Sequence, residues 1–579
     1  MSERTWLGSN VLAGPFTVWR SGGYKQERAG RISTYWRQLI QEDPMMRNIV
    51  MVIDLRFGGD LGGKRLRVAT VPLTSVSGTT GLDHSAIAAL VEQPSLEQVY
   101  ALNEATSSAR SITISLSTEF IDPAQMILNG LPLFGFAEVS LEPARRLDGS
   151  NADYDERYVL MRGDIGGSGG PRFGALRTTS QGTRQAEIME LQISDPRDSV
   201  NAKFPPWVID TTRFVNLIES SQGLRIPIAL NAYNNIPGVR VTTAPSGADT
   251  IWVFAYGHEW DVNTSSGVSV NGVVKTNVDA TYGWTLTKTN DLKGVPVSQI
   301  NFTNAATVWE DTDVVHISTT ASGDTYNTIK SIERLLVNHS PFGAIGLDAS
   351  LFTTAEADMG QGFSPDILIN EAGSGQNAME WVEDTYLESF PMISMIWSNG
   401  KYGPIVTDFR LSPKAKWEVG TFPLFDRMSL VEETPKSEIE NEFVIRYDYD
   451  PLLDIYRKVL VRGAETSDVC AYSQAVAGPR HRDPIQSKYI KDEALARYVL
   501  DWMVAHRALP SYFVMCEGAS VIAFRNRVGD TISLTSDEYG WVDQAATIES
   551  MTIERARCVV GLRVWVRYID LGGGALSYT

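Results

Sequence analysis

Apolar residues in this chain recur mostly at every second position. In EIMELQISDP (187–196), Met189, Leu191 and Ile193 alternate with Glu190 and Gln192; in GLRVWVRYI (561–569), Leu562, Val564, Val566 and Tyr568 alternate with Arg563, Trp565 and Arg567. Period two gives a strand with one apolar and one wet face. Turn chemistry agrees with frequent reversals. MISMIWSNGKYGPI (392–405) predicts a hairpin about Asn399-Gly400, and VSVNGVVKTN (268–277) a second about Asn271-Gly272. Helical spacing is confined to three stretches: TYNTIKSIERLLVNH (325–339) with Asp324 as N-cap, NAMEWVEDTYLESF (377–390), and KDEALARYVLDWMVAHR (491–507). The pattern predicts a mainly β chain with minor α.

One stretch invites a different reading. The apolar run IVMVIDLRF (49–57) leads into GGDLGGKR (58–65), which approaches a phosphate-binding G-x-x-x-x-G-K loop. Arg65 stands where Ser or Thr would hold magnesium. The following LRVATVPL (66–73) alternates as a strand, whereas a P-loop opens a helix. The expectation is a hairpin with a glycine-rich tip. Its basic residues Lys64, Arg65 and Arg67 are expected to meet an acidic partner surface.

At 579 residues the chain is too long for one core and predicts several domains. Its formal charge of −18 argues against an outer surface that grips DNA or anionic lipid, but not against one that DNA slides past. Residues 20–47 run against that balance, with Arg20, Lys25, Arg28, Arg31, Arg37 and Arg47 against Glu27, Glu42 and Asp43; they read as a solvated face or a docking arm. Cys470, Cys516 and Cys558 form neither a disulfide framework nor a zinc knuckle, which suits a reducing cytosol. No signal peptide and no membrane-spanning apolar run are read.

Candidate chemistry is sparse. His258, Glu259 and Asp261 in HEWD are the densest set of possible metal ligands, but strand alternation turns Glu259 away from the other two. GSGQ (373–376) does not complete a nucleophile elbow. RGDIGGSGGPRFG (162–174) reads as a flexible hairpin tip, and Glu432-Glu433 is one acidic pair among many in a chain with 69 carboxylates. The sequence nominates no catalytic, cofactor-binding or metal residue, and no cofactor.

The C-terminal third has a recognisable order: SEIENEFVIRYDYD (437–450), the helix at 491–507, RNRVGDTISLTSDEYGW (525–541) with its Gly529-Asp530 turn, and a closing hairpin in TIESMTIERARCVVGLRVWVRY. This order resembles the baseplate or tail-tip hub proteins of tailed bacteriophages. Upstream, GLRIPIALNAYNNIPGVRV (223–241), VSVNGVV with GWTLTKTN, GLDASLF (346–352) and the NGK hairpin resemble the same proteins. The resemblance implies two tube-like β-barrels plus a small β insertion and an α+β domain. The expected division is an N-terminal β-rich region at 1–150 with a hairpin at 49–73, and a first barrel at 151–240 completed by part of 1–150. A small insertion at 241–322, an α+β domain at 323–415 and a second barrel at 416–579 with a bracing helix at 491–507 follow.

It further implies a structural, non-enzymatic homotrimer whose paired barrels imitate a sixfold tube. This hub would join tail tube and distal tail proteins to receptor-binding or cell-puncturing parts. The expected partners are the tape-measure protein and a separate tail fibre or tip protein. Synthesis is expected in the bacterial host cytoplasm and final location at the virion tail tip. DNA would pass through an acidic lumen without specific binding, and no membrane insertion is expected. A carbohydrate-active or cell-wall-binding tail protein is the alternative, its 14 Trp and 21 Tyr serving as stacking platforms.

Overall fold

The structure is a computed structural model. It describes residues 48–57, 64–92, 95–99, 112–119, 121, 136–144, 151–165, 172–173, 176–178, 184–186, 188–194, 204–215, 217–242, 250–304, 309–310, 312–321, 325–339, 346–360, 363–370, 376–398, 401–418, 425–518, 526–554 and 557–565. Strands dominate and helices are few. Among the described residues no helix is long and apolar enough to cross a membrane.

The first sheet runs in the order Lys64–Val68, Ile49–Phe57, Phe136–Pro143, Tyr158–Ile165, Ile188–Ser194, Ile112–Ser117. Its two outer strands are then joined by a short segment. Ile87 exchanges backbone hydrogen bonds with Arg67 and Ala69 on one side, while Val91 and Ala89 bond Ser115 and Ser117 on the other. Backbone pairing therefore runs round a complete circuit, the arrangement by which a barrel removes free edges. Met51, Ile53, Leu55, Val139, Leu141, Met161, Leu191 and Ile193 point into it and are buried.

The second large sheet runs Lys416–Glu418, Thr531–Ser536, Trp541–Glu554, Arg557–Val564, Tyr512–Gly518, Phe425–Glu433. It also recruits a strand from far upstream. Ser95–Val99 leaves the first circuit and pairs antiparallel with Ser550–Glu554. The buried side chains of the two sheets form one contiguous apolar cluster, from Ile49 through Ile193 to Trp417 and Val564. Strand exchange and a shared core tie the ends of the chain together.

Between them lies a helical core and a small all-β unit. The helix Thr328–His339 buries Ile329, Ile332, Leu335 and Leu336 at three- and four-residue spacing. Its start is capped by Asn327, whose Oδ1 accepts from the Lys330 N–H; the expected cap, Asp324, lies outside the described residues. Asn377 and Glu380 form a capping box for Ala378–Trp381, and the helix continues as a π segment to Tyr386 and a 3-10 turn to Ser389. Glu493–Arg507 is capped by Asp492 and buries Leu495, Val499, Leu500 and Trp502 in the central core, with the other helices. Ala349–Met359 and Asp468–Ala477 are helices the spacing did not suggest.

The β unit packs around Trp252, Phe254, Trp260, Trp284 and Phe302. Its Asn271-Gly272 turn has φ of 50° and 79°, the left-handed pair that a two-residue hairpin requires. The hairpin Ile393–Ser398/Lys401–Val406 pairs Ser398 with Lys401 as its sequence predicts, though Asn399 and Gly400 themselves lie outside the described residues.

Candidate assembly surfaces

The 49–57 run is the first strand of a hairpin, with Phe57 opposite Lys64 and Asp54 opposite Arg67. A strand, not a helix, follows the glycines, so the geometry of a phosphate loop is absent. Tip residues 58–63 lie outside the described residues.

The root of this hairpin corrects an expectation from the sequence. Arg65 and Arg67 do not wait for an acidic partner; they are spent inside the subunit. Arg67, Asp54, Glu138 and Arg162 stand opposite one another across four neighbouring strands, on the outer face of the circuit. Arg65 Nε donates to both Asp54 oxygens at 2.9 and 3.0 Å. Arg67 donates to Glu142 and to the His84 carbonyl. Glu138 accepts from Arg157 at 2.6 Å and from Arg162 at 2.9 Å. Over the cluster lies Tyr154, stacked on His84 at 3.8 Å and covered by the Arg157 guanidinium at 3.9 Å.

These contacts set the charges. Burial alone raises a carboxyl, but Arg157 and Arg162 outweigh it and hold Glu138 at about 2. Glu142 goes the other way: burial raises it despite the attraction of Arg67. Burial first, then the nearby Arg65 and Arg67 charges, hold His84 at about 4. Neutral His84 can therefore accept from Arg65 through Nδ1. Asp54, Glu138 and Glu142 are each engaged by a guanidinium, so the cluster offers no free general base. It works as a clamp that fixes the cover segment 69–90 over the barrel wall.

A second surface is open. Phe443–Asp450 and Ile455–Arg462 form a long hairpin in a three-stranded sheet whose outer member is Ile455–Arg462. One side of it packs on the helix 493–507, where Arg462 binds Asp501 at 2.7 Å. The other side exposes Ile455 (47%), Val459 (57%) and Val461 (42%), with Leu453 (59%) at the tip. Arg457 shares this face and is paired with Asp450, and an edge strand with apolar residues left uncovered around such a pair is a template for strand pairing.

The remaining sequence candidates are dispersed. The His258 ring meets the Thr289 carbonyl at 2.7 Å, Glu259 pairs with Arg334 at 2.5 Å, and Asp261 with Lys288 at 2.9 Å. No group of three potential ligands converges on a metal position among the described residues. Arg162 of the Arg-Gly-Asp tripeptide lies within a strand rather than at a tip, its side chain on Glu138. Residues 166–171 and 371–375, with most of the two glycine-rich motifs, lie outside the described residues, and Cys470 and Cys516 are buried free thiols. Sequence reasoning missed the ionic row, although an Asp inside IVMVIDLRF was its signal.

No family model and no curated protein matches the chain. Solved structures do. Among them are the tail protein from Neisseria meningitidis MC58 (9% identity, 89% of this chain and 98% of that one, TM-score 0.36) and prophage tail protein gp18 from Listeria monocytogenes EGD-e (7%, 89% and 94%, TM-score 0.33). Their descriptions name the first a tail protein and the second a prophage tail protein. The PdpA–VgrG complex is also similar (7%, 92% and 67%, TM-score 0.29). At TM-scores below 0.5 these likenesses carry no argument about function.

Proposed function

We propose that the chain is a structural protein of a phage tail: a homotrimeric hub at the tail tip, joining the tail tube to receptor-binding or cell-puncturing parts. The observation that carries this reading is the edge strand Ile455–Arg462, which leaves Ile455, Val459 and Val461 exposed along one face. Such an edge is a hazard in a free monomer and an asset in a protein built to be covered by a neighbour. We assign that neighbour to a second copy of the chain. The circuit of strands at 49–194 suits a wall segment of a tube, and the ionic clamp keeps that wall rigid. The order of elements that resembles hub proteins supports the same assignment, with tape-measure, distal tail and fibre or tip proteins as further partners. The acidic balance suits a lumen that repels phosphate, so DNA passes without being held.

Antibodies raised against the purified chain, applied to intact virions under negative stain, test this reading. Label at the tail tip is the expected result. Virions that lack the chain altogether, with the protein found only in the lysate, would contradict it.

A further inference from the structure

The segment that closes the first circuit brings little packing of its own. Residues 73–86 fold back as a small hairpin: Leu73 and Ala86 exchange backbone hydrogen bonds at 3.0 and 2.9 Å, and the His84 N–H donates to the Ser75 carbonyl at 2.7 Å. Its far end is tied to the neighbouring turn, where Asp155 accepts from the Ser77 hydroxyl and the Thr79 N–H, both at 2.8 Å. The seam follows directly. Ile87 and Leu90 donate to Arg67 and Ala69 at 3.0 and 3.1 Å on one side, and Val91 donates to Ser115 at 2.9 Å on the other. From Ala86 to Val91 only Leu90 is both large and buried, while Ile87 and Val91 are exposed. So few buried apolar atoms place the seam at the low-stability end of the fold, and the polar contacts beside it carry much of its closure.

His84 makes those contacts, three residues before Ile87. Its Nδ1 accepts from Arg65, its carbonyl accepts from Arg67, and its ring stacks on Tyr154 at 3.8 Å with 16° between the planes. The first contact requires a bare Nδ1. A proton there turns an acceptor into a donor and sets a second positive charge against the guanidinium. The groups around the ring do not compensate. Arg65 and Arg67 face it from the Lys64–Val68 strand and Arg157 from the turn that carries Tyr154. Asp54, on the Ile49–Phe57 strand, attracts the proton, but its two oxygens already take Arg65 Nε. Glu138 and Glu142 are engaged by Arg157 and Arg67, and Asp83 on the segment itself is turned to Ser85. The ring is half-buried, so a proton from solvent reaches it.

We propose that His84 is an acid-sensitive latch: protonation of its imidazole, seated between Arg65 and Tyr154, releases the cover segment and parts the seam between Lys64–Val68 and Ile112–Ser117. This inference stands independently of the hub reading; either can fail without the other. The sign follows from the proton. Burial, then Arg65 and Arg67, hold the imidazole at about 4 against an ordinary 6.5. Closure is therefore fully favoured above pH 6.5 and loses that share as pH falls toward 4. From pH 7 to 4.5 the opening constant should rise about fiftyfold. Asp83, Asp155 and Glu138 are held below their ordinary values and act only at lower pH. Glu142, raised by burial, works against opening in the same window.

The test is hydrogen–deuterium exchange of the full-length protein at pH 7, 5.5 and 4.5, corrected for the intrinsic pH dependence of exchange. The seam amides of Ile87, Leu90 and Val91 should show the fiftyfold rise, and peptides covering 250–256 and 296–302 of the β unit should not. His84→Gln keeps an acceptor for Arg65 but takes no proton, so its seam should change less than about threefold over the same range. Arg65→Met leaves His84 in place without the facing charge and should cut the rise to less than half. A wild-type seam that does not respond to pH, or an undiminished rise in both variants, would overturn the proposal. An equal rise in the β-unit peptides would overturn it too, by showing acid unfolding of the whole chain in place of a local latch.

Discussion

Replacing Glu138 with Gln isolates the clamp. The carboxylate is fully buried and accepts from two guanidiniums, both themselves nearly buried. Its pKa of about 2, against an ordinary 4.5, corresponds to about 3 kcal/mol of folding stability at neutral pH. Removing one member of a buried ion pair costs about 3–5 kcal/mol in general; Gln keeps one acceptor, which favours the lower end. The sign follows from protons bound. Above pH 4.5 the contribution is complete, and it is lost as pH falls toward 2 because the folded state resists the proton that the unfolded state takes up.

No tryptophan lies among the described residues of the first circuit, so intrinsic fluorescence reports it poorly. Hydrogen–deuterium exchange of peptides covering 49–57, 136–143 and 158–165 is the suitable readout. In Glu138→Gln the opening free energy of these strands should fall by about 3 kcal/mol and lose its dependence on pH between 4.5 and 2. A change below about 0.5 kcal/mol, or retained acid dependence, would show that the row of charges is no clamp.

His506 predicts a second acid transition. It is buried against Trp502, Phe409 and Trp565, its Nδ1 meeting the Trp502 carbonyl while its Nε2 accepts from the Phe409 N–H. Burial, only partly offset by Asp408, holds it at about 4, so stability present above pH 6.5 declines by about 3 kcal/mol as pH falls to 4; urea melts of His506→Gln should lack that slope. Gly267→Ala should destabilise the β unit by more than about 2 kcal/mol in thermal melts, because its Cβ would sit 2.6 Å from the Asn263 carbonyl oxygen and 2.7 Å from its nitrogen, backbone atoms that cannot swing aside. Val459→Glu, on the exposed edge strand, should leave the monomer folded and weaken self-association by at least about tenfold in sedimentation velocity. Deleting residues 59–63 should weaken tail assembly while leaving the chain folded; unchanged assembly would reduce that hairpin tip to an ordinary surface turn.

What was legible in the sequence follows the range of the forces involved. Period-two runs such as Ile188–Ser194, the Asn271-Gly272 turn and the stripe of Glu493–Arg507 are local patterns, and the structure contains them. Asp468–Ala477 was not legible because its buried side, Val469, Cys470 and Ser473, is too narrow and small to print a stripe. The π segment Val382–Tyr386 leaves no local signature either. Closure of the first circuit by Ala86–Val91, and the pairing of Ser95–Val99 with a strand some 450 residues away, are long-range choices made by edges in need of partners. The clamp was missed: Asp54 inside an apolar strand was its local signal, but its match with Arg65 is visible only once the register is known.

The most direct test of the central claim is the mass of the purified full-length chain in solution by mass photometry, with Val459→Glu measured alongside. The account predicts a dominant species of three times the 63.8 kDa subunit, shifted toward one subunit by the substitution. A wild-type chain that remains a monomer at micromolar concentration would contradict it.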